Sequence, residues 1–132
     1  PSSPPRLVTV SRLSPEKRVD LVLDALVLAR DLDPRLEMDV VGGGALEADL
    51  RAHAHRLGIG SAVRFHGSLS RDQVAEVAAP AAAYVTGTLS EMFGTATAEA
   101  LCLGVPAVAP AVGGADRTHR LEQRIPCLGY HR

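Results

Sequence analysis

The residues best suited to chemistry are two glutamates eight positions apart, in the run Ser90-Glu91-Met92-Phe93-Gly94-Thr95-Ala96-Thr97-Ala98-Glu99-Ala100. Glu91 falls in a loop after a short apolar run. A helix starting near Gly94 aims its unpaired N–H groups at that same loop, where they attract a phosphate. Glu99 then lies about 7–8 Å along the axis, at roughly 1.5 Å per residue. Two acceptors so separated, with donors clustered beside one of them, suit a sugar, a diphosphate and a ribose laid end to end. The same residues are equally compatible with a solvated Glu91 and a Glu99 that meets a neighbouring cation.

Arg12 and Lys17 form the second group, in the turn and first helix after the first apolar strand. Fixed cations at such a place stabilise a leaving group that gains negative charge in the transition state. They are otherwise two ordinary surface charges. Gly42-Gly43-Gly44 sits between a strand and a helix but lacks G-x-G-x-x-G spacing. Tight packing or positive φ accounts for it as readily as phosphate binding does, with Gly43 giving a ligand backbone clearance. His66, beside Gly67, could line a base pocket or be structural. His53, His55, His119 and His131 show no metal-ligand spacing with Cys102, Cys127 or the carboxylates, so no metal or other cofactor is expected. Cys102, in an apolar helix, reads as an inert core thiol.

These side chains need a scaffold. Strands are predicted at 7–10, 36–41, 62–66, 82–86 and 106–109. Helices are expected from Ser14-Pro15-Glu16 to Asp33-Pro34, then over 45–57, 71–79 and 95–103, on capping, Gly and Pro signals. The first helix places Val19, Val22, Leu23, Leu26 and Ala29 on one face. The alternation predicts right-handed βαβ crossovers: an α/β, Rossmann-like parallel sheet of about five strands with helices on both faces. Ligands in such sheets bind outside the carboxyl ends of the strands, where the loops at 11–15, 42–44, 67–70, 87–93 and 110–116 gather. Residues 1–6 read as a stiff interdomain linker, 7–114 as the domain, and 115–132 as an irregular tail with at most a weak helix near 119–124.

The bulk numbers permit one domain. At 132 residues, 46% apolar and 22% charged, the chain can bury a core, and its net charge of −1 gives no bulk pull toward nucleic acid. Two cysteines suit a reduced, cytoplasmic setting better than a disulfide framework. A peripheral membrane position stays compatible with that.

Several of these segments resemble the retaining glycosyltransferases of family four, which have the two-domain GT-B fold. Glu91 to Glu99 is similar to the family's E-x-F-G-x-x-x-x-E motif. Ser11-Arg12-Leu13 with Pro15-Glu16-Lys17 resembles G-R-L-x-x-E-K-G, and Val41-Gly42-Gly43-Gly44 resembles V-G-x-G-P. Val63-Arg64-Phe65-His66-Gly67 is similar to V-x-F-x-G, and Gly104-Val105-Pro106-Ala107-Val108-Ala109 to G-x-P-V-V-A. Five motifs in order cover residues 7–114.

The resemblance implies a C-terminal donor-binding domain that takes a nucleoside-diphosphate sugar and, joined to an N-terminal acceptor domain, passes a hexosyl group to a glycan, lipid or small-molecule acceptor. It implies Arg12 and Lys17 on the diphosphate and Glu91 on the sugar hydroxyls, these three being the catalytic set. Backbone N–H groups of Phe93, Gly94 and Thr95 fall near sugar and phosphates, Glu99 on the ribose, and His66, Gly67 and Leu69 around the base. No metal is implied. Departures are Arg18 where Gly is usual, Gly87 where Pro is common, Ala82 for Asp, and Ala115-Asp116 for x-Pro-Glu. With the N-terminal domain and the last α/β elements missing, a truncated domain, inactive alone, is expected. The alternatives are a non-catalytic remnant or interaction module, and a nucleotide-sugar epimerase of the same fold.

Overall fold

Alternating β-branched runs and amphipathic segments resolve into strands β1 (Arg6–Val10), β2 (Glu37–Val41), β3 (Val63–Gly67), β4 (Ala83–Val85) and β5 (Ala107–Pro110). Between them run helices α1 (Val19–Leu32), α2 (Glu47–Arg56), α3 (Arg71–Ala78) and α4 (Thr95–Cys102). The structure, a computed structural model, describes residues 4–88, 95–110 and 120–123, with the side chains of 4–88 and 98–109. The sheet order is β3-β2-β1-β4-β5-β6, and the first five strands are parallel. This is the expected Rossmann-like arrangement.

Two elements differ from the expectation. Helix α1 does not start at Ser14. Residues 15–17 make a 3₁₀ turn, and Arg18 then enters the left-handed region at φ 53°, so the α-helix begins at Val19. The Ser14 hydroxyl donates to the Glu16 carboxylate at 2.9 Å and caps no backbone N–H. The second difference is β6 (Arg120–Gln123), which pairs antiparallel with β5 where a weak helix was expected. The outer edge of β5 offers unpaired backbone groups, and four residues are too few to hold an isolated helix against that pairing.

Two apolar clusters cover the two faces. Leu13, Val22, Leu23, Leu26, Met38, Val40 and Leu50 pack beneath α1 and α2. Val8, Val41, Ala78, Tyr84, Leu101 and Ala107 pack beneath α3 and α4. Each large aliphatic side chain so buried contributes about 1.5–3 kcal/mol. At the outer strand β3, Arg51 of α2 lays its guanidinium over the Phe65 ring at 4.8 Å. Among the described residues no helix is long and apolar enough to cross a membrane.

Where β1, β2 and β3 lie beside one another, one sheet face carries charge. Asp39, 4% exposed, accepts from Arg6 Nε at 2.7 Å and Nη2 at 2.9 Å, and pairs with His66 Nε2 at 2.7 Å. Arg6 also pairs with Glu37. Burial alone pushes the Asp39 carboxyl up. The hydrogen bonds from Arg6 and His66 outweigh it and hold the group below its ordinary 3.8. A depressed folded-state pKa contributes stability that is fully present above the unfolded value and lost as pH falls through it and on through the folded one. Asp39→Asn should therefore destabilise the fold by about 2–3 kcal/mol at neutral pH. It should also flatten the decline in stability below about pH 4, which urea unfolding across pH will show.

Candidate functional site

The loops that follow β1, β2 and β3 are stitched together by backbone. Ser11 N–H donates to the Val41 carbonyl at 3.0 Å, and Leu13 N–H to that of Gly43 at 3.0 Å. Gly42 N–H donates to Gly67 at 2.8 Å, and Leu46 N–H to Leu13 at 3.3 Å. This seam requires the second loop to have no side chain at its closest point. At Gly42, φ is 132°, and a Cβ there would sit 1.7 Å from the Ser11 carbonyl oxygen. Tight packing thus accounts for Gly42, and at Gly43 a Cβ would press on the Ser68 side chain, whose Oγ would lie 3.0 Å away.

Beside the seam opens a cleft of about 690 Å³, lined by Val10, Ser11, Arg12, Glu16, Lys17, Val41, Gly42, Gly43, Ser68, Leu69 and Val74. It brings together Arg12, Lys17, Gly43 and Leu69 from the three loops that follow β1, β2 and β3. Arg12 is exposed and Lys17 half-buried. Glu16 stands between them, its carboxyl held below the ordinary value by its own backbone N–H and by the Ser14 hydroxyl. The cleft therefore sets two cations beside an acidic neighbour, which favours a ligand that carries negative charge.

His66 and Gly67 do not line this cleft. His66 pairs with Asp39 at the β-bulge between Val40 and Val41, where the β2–β3 register slips. Its contribution is to tie the end of β3 to the sheet, and Ser68 and Leu69 supply the lining. Glu99 lies on α4 and pairs with Arg71, Nε to Oε2 at 2.6 Å. Both border a smaller cavity with Val74, Ala78, Tyr84, Ala100 and Leu103, and Val10 and Val74 line it and the larger cleft alike. The Tyr84 hydroxyl donates to the Val10 carbonyl at 3.0 Å and so fixes the shared wall. Thr95 opens α4. Glu91, Phe93 and Gly94 lie outside the described residues.

The turn that carries Lys17 is held from beneath. Gly87, after β4, is buried, and a Cβ on it would lie 2.2 Å from the Arg18 carbonyl oxygen and 2.6 Å from that of Lys17. The two departures from the family pattern thus meet in space: a bulky residue at the left-handed position 18, and no side chain at 87.

Sequence reasoning quoted Ser11 and Glu16 within a motif but gave them no role, and it missed Val74 and Arg71; Ser68 falls inside the segment 66–69 expected around the base. Arg71 was not legible, because its partner is 28 residues away in the chain (99 − 71).

Fold and cleft together define a Rossmann-like α/β domain with its candidate site at the carboxyl ends of the strands. Residues 1–123 match the family described as Glycosyl transferases group 1, and the chain belongs to that family. It is 38% identical over 112 residues to a D-inositol 3-phosphate glycosyltransferase of Streptomyces griseus, covering 78% of this chain and 24% of that protein. It is 32% identical over 108 residues to the GtfA subunit of a UDP-N-acetylglucosamine–peptide N-acetylglucosaminyltransferase of Streptococcus gordonii, covering 82% and 21%. Among solved structures it is similar to the pneumococcal O-GlcNAc transferase GtfA in complex with UDP and GlcNAc, with TM-score 0.74, 27% identity, and 85% and 22% of the two chains covered. Anabaena HepE in complex with UDP and glucose gives TM-score 0.71 and 27% identity over 86% of this chain and 31% of that one. The chain spans about a quarter of the length of the curated relatives it matches.

Gly87→Ala should lower stability by roughly 1–3 kcal/mol, because backbone rather than a mobile side chain must yield. Arg18→Gly should raise it by about 1 kcal/mol: the left-handed conformation costs a non-glycine residue ~1–2 kcal/mol, and the exposed pair with Asp20 returns less. Denaturation midpoints of the two variants check both signs.

Proposed function

We propose that the chain is the C-terminal, donor-binding domain of a retaining family-four glycosyltransferase, with residues 7–114 holding a nucleoside-diphosphate sugar. One observation carries the reading. The cleft flanked by Arg12 and Lys17 shares Val10 and Val74 with the smaller cavity that the Glu99 carboxylate borders, so that cations and a hydroxyl acceptor stand in adjoining cavities. The diphosphate lies against Arg12 and Lys17, the ribose at Glu99, and the base beside Ser68 and Leu69. Glu91, with the backbone N–H groups of Phe93, Gly94 and Thr95, takes the sugar. Solved relatives held with UDP support a uridine diphosphate donor.

The chemistry asked of these residues is electrostatic. As the bond from the anomeric carbon to the diphosphate oxygen breaks, both electrons leave with the diphosphate, and the fixed charges of Arg12 and Lys17 stabilise it. The acceptor hydroxyl oxygen bonds to the anomeric carbon on the face the diphosphate vacates and passes its proton to the departing diphosphate oxygen, which retains the anomeric configuration. The hexosyl acceptor (a glycan, lipid or small molecule) enters from an N-terminal domain. The residues named require no metal in this scheme, and a cytoplasmic site of action accords with it.

Joined to that N-terminal domain, the Lys17→Ala variant should lose about 2–4 kcal/mol of transition-state stabilisation, roughly 30-fold to 1,000-fold in turnover. Titration calorimetry of the isolated chain with UDP should show weaker binding for Arg12→Ala and Lys17→Ala. Unaltered turnover and affinity in both variants would remove the cations from the site.

A further inference from the structure

Arg71 stands where a cation is electrostatically disfavoured. It is the first residue of α3, whose start is fixed by a reciprocal cap: Gln73 N–H donates to Ser70 Oγ at 3.2 Å, and Ser70 N–H donates to Gln73 Oε1 at 2.9 Å. The N-terminal end of a helix carries partial positive charge and favours anions. The side chain nevertheless reaches across to α4 and binds Glu99 Oε2 at 2.6 Å. Arg71 is 74% exposed in that pair and Glu99 20%. An exposed arginine adds little to folding stability by such a contact, so stability does not explain the position.

The local geometry does. Glu99 emerges into a small cavity whose other walls, Val74, Ala78, Tyr84, Ala100 and Leu103 among them, are mostly apolar. Without a partner, a glutamate there samples several rotamers. A guanidinium is a planar fork of donors that fixes a carboxylate in one orientation. A carboxylate offers about four lone-pair sites, and one arginine occupies at most two of them, which leaves capacity for two hydroxyls.

We propose that Arg71 is a positioning residue of the donor site, holding the Glu99 carboxylate so that it reads the vicinal diol of a ribonucleotide and discriminates against the 2′-deoxy form. This rests on the donor-binding reading above and deepens it.

The test is calorimetry of the chain with uridine, adenosine and guanosine diphosphates, each beside its 2′-deoxy counterpart, on wild type, Arg71→Gln and Arg71→Lys. Wild type should prefer the tightest ribonucleotide over its deoxy form by about tenfold, the worth of one charge-assisted hydrogen bond. Arg71→Gln should bring that ratio near one by weakening the ribonucleotide alone. Arg71→Lys should keep part of the preference, and the thermal midpoints of all three should coincide. A wild-type preference that survives intact in Arg71→Gln overturns the role of Arg71 while leaving the donor site standing. Equal loss of both ligands together with a lowered midpoint marks a structural contact and overturns it too. If wild type binds none of the diphosphates, the donor-site reading falls and takes this one with it.

Discussion

Three strand-end loops can form one surface only because the middle one passes its neighbour without a side chain. The Gly42 Cα hydrogen points at the Ser11 carbonyl, in space that any Cβ would have to share with that oxygen. From this contact follow the hydrogen bonds Ser11–Val41, Leu13–Gly43 and Gly42–Gly67. These set the depth of the cleft and the place of Arg12 and Lys17 along its rim. The seam costs conformational freedom at glycine and leaves little slack in the loops. On the proposed reading, in which Arg12 and Lys17 face a leaving diphosphate, that rigidity matters because charges that need not reorganise stabilise a developing anion most.

Ion pairs in this domain serve two purposes, and burial separates them. Asp39 is enclosed, and its bonds to Arg6 and His66 anchor the end of β3 to the sheet. Removing Arg6 takes two of the Asp39 carboxylate's hydrogen bonds from a place water reaches poorly. The Arg71–Glu99 pair is half in solvent and joins the first turn of one helix to the middle of another. Its effect is to orient a carboxylate rather than to hold the fold. His66 belongs to the first network through its contact with Asp39.

Family membership and local geometry support each other at the departures from pattern. Position 18 needs a left-handed backbone, which glycine adopts without strain and arginine does not. Position 87 packs against the carbonyl of that same residue. The chain carries the larger residue where the side chain can reach solvent and none where it cannot. Such a pair is invisible in either segment alone.

Strand and helix order, the parallel sheet and the edge that carries the strand-end loops were determined by local patterns. Runs such as Leu7–Val10 and the Gly and Pro stops act over a few residues, so nearest-neighbour chemistry specifies them. The motif residues Arg12, Lys17, Gly43, Leu69 and Glu99 could be placed on that edge for the same reason. Tertiary structure alone decided which way His66 turns, that Glu99 meets Arg71, that β6 pairs rather than coils, and that Arg18 interrupts the first helix. Each depends on groups far apart in the chain: a bulge opposite Val41, a helix start 28 positions before Glu99 (99 − 71), a vacant strand edge, and a glycine at 87. The periods of two and 3.6 residues encode the face from which a side chain leaves, whereas the partner it meets is set by what folding brings alongside.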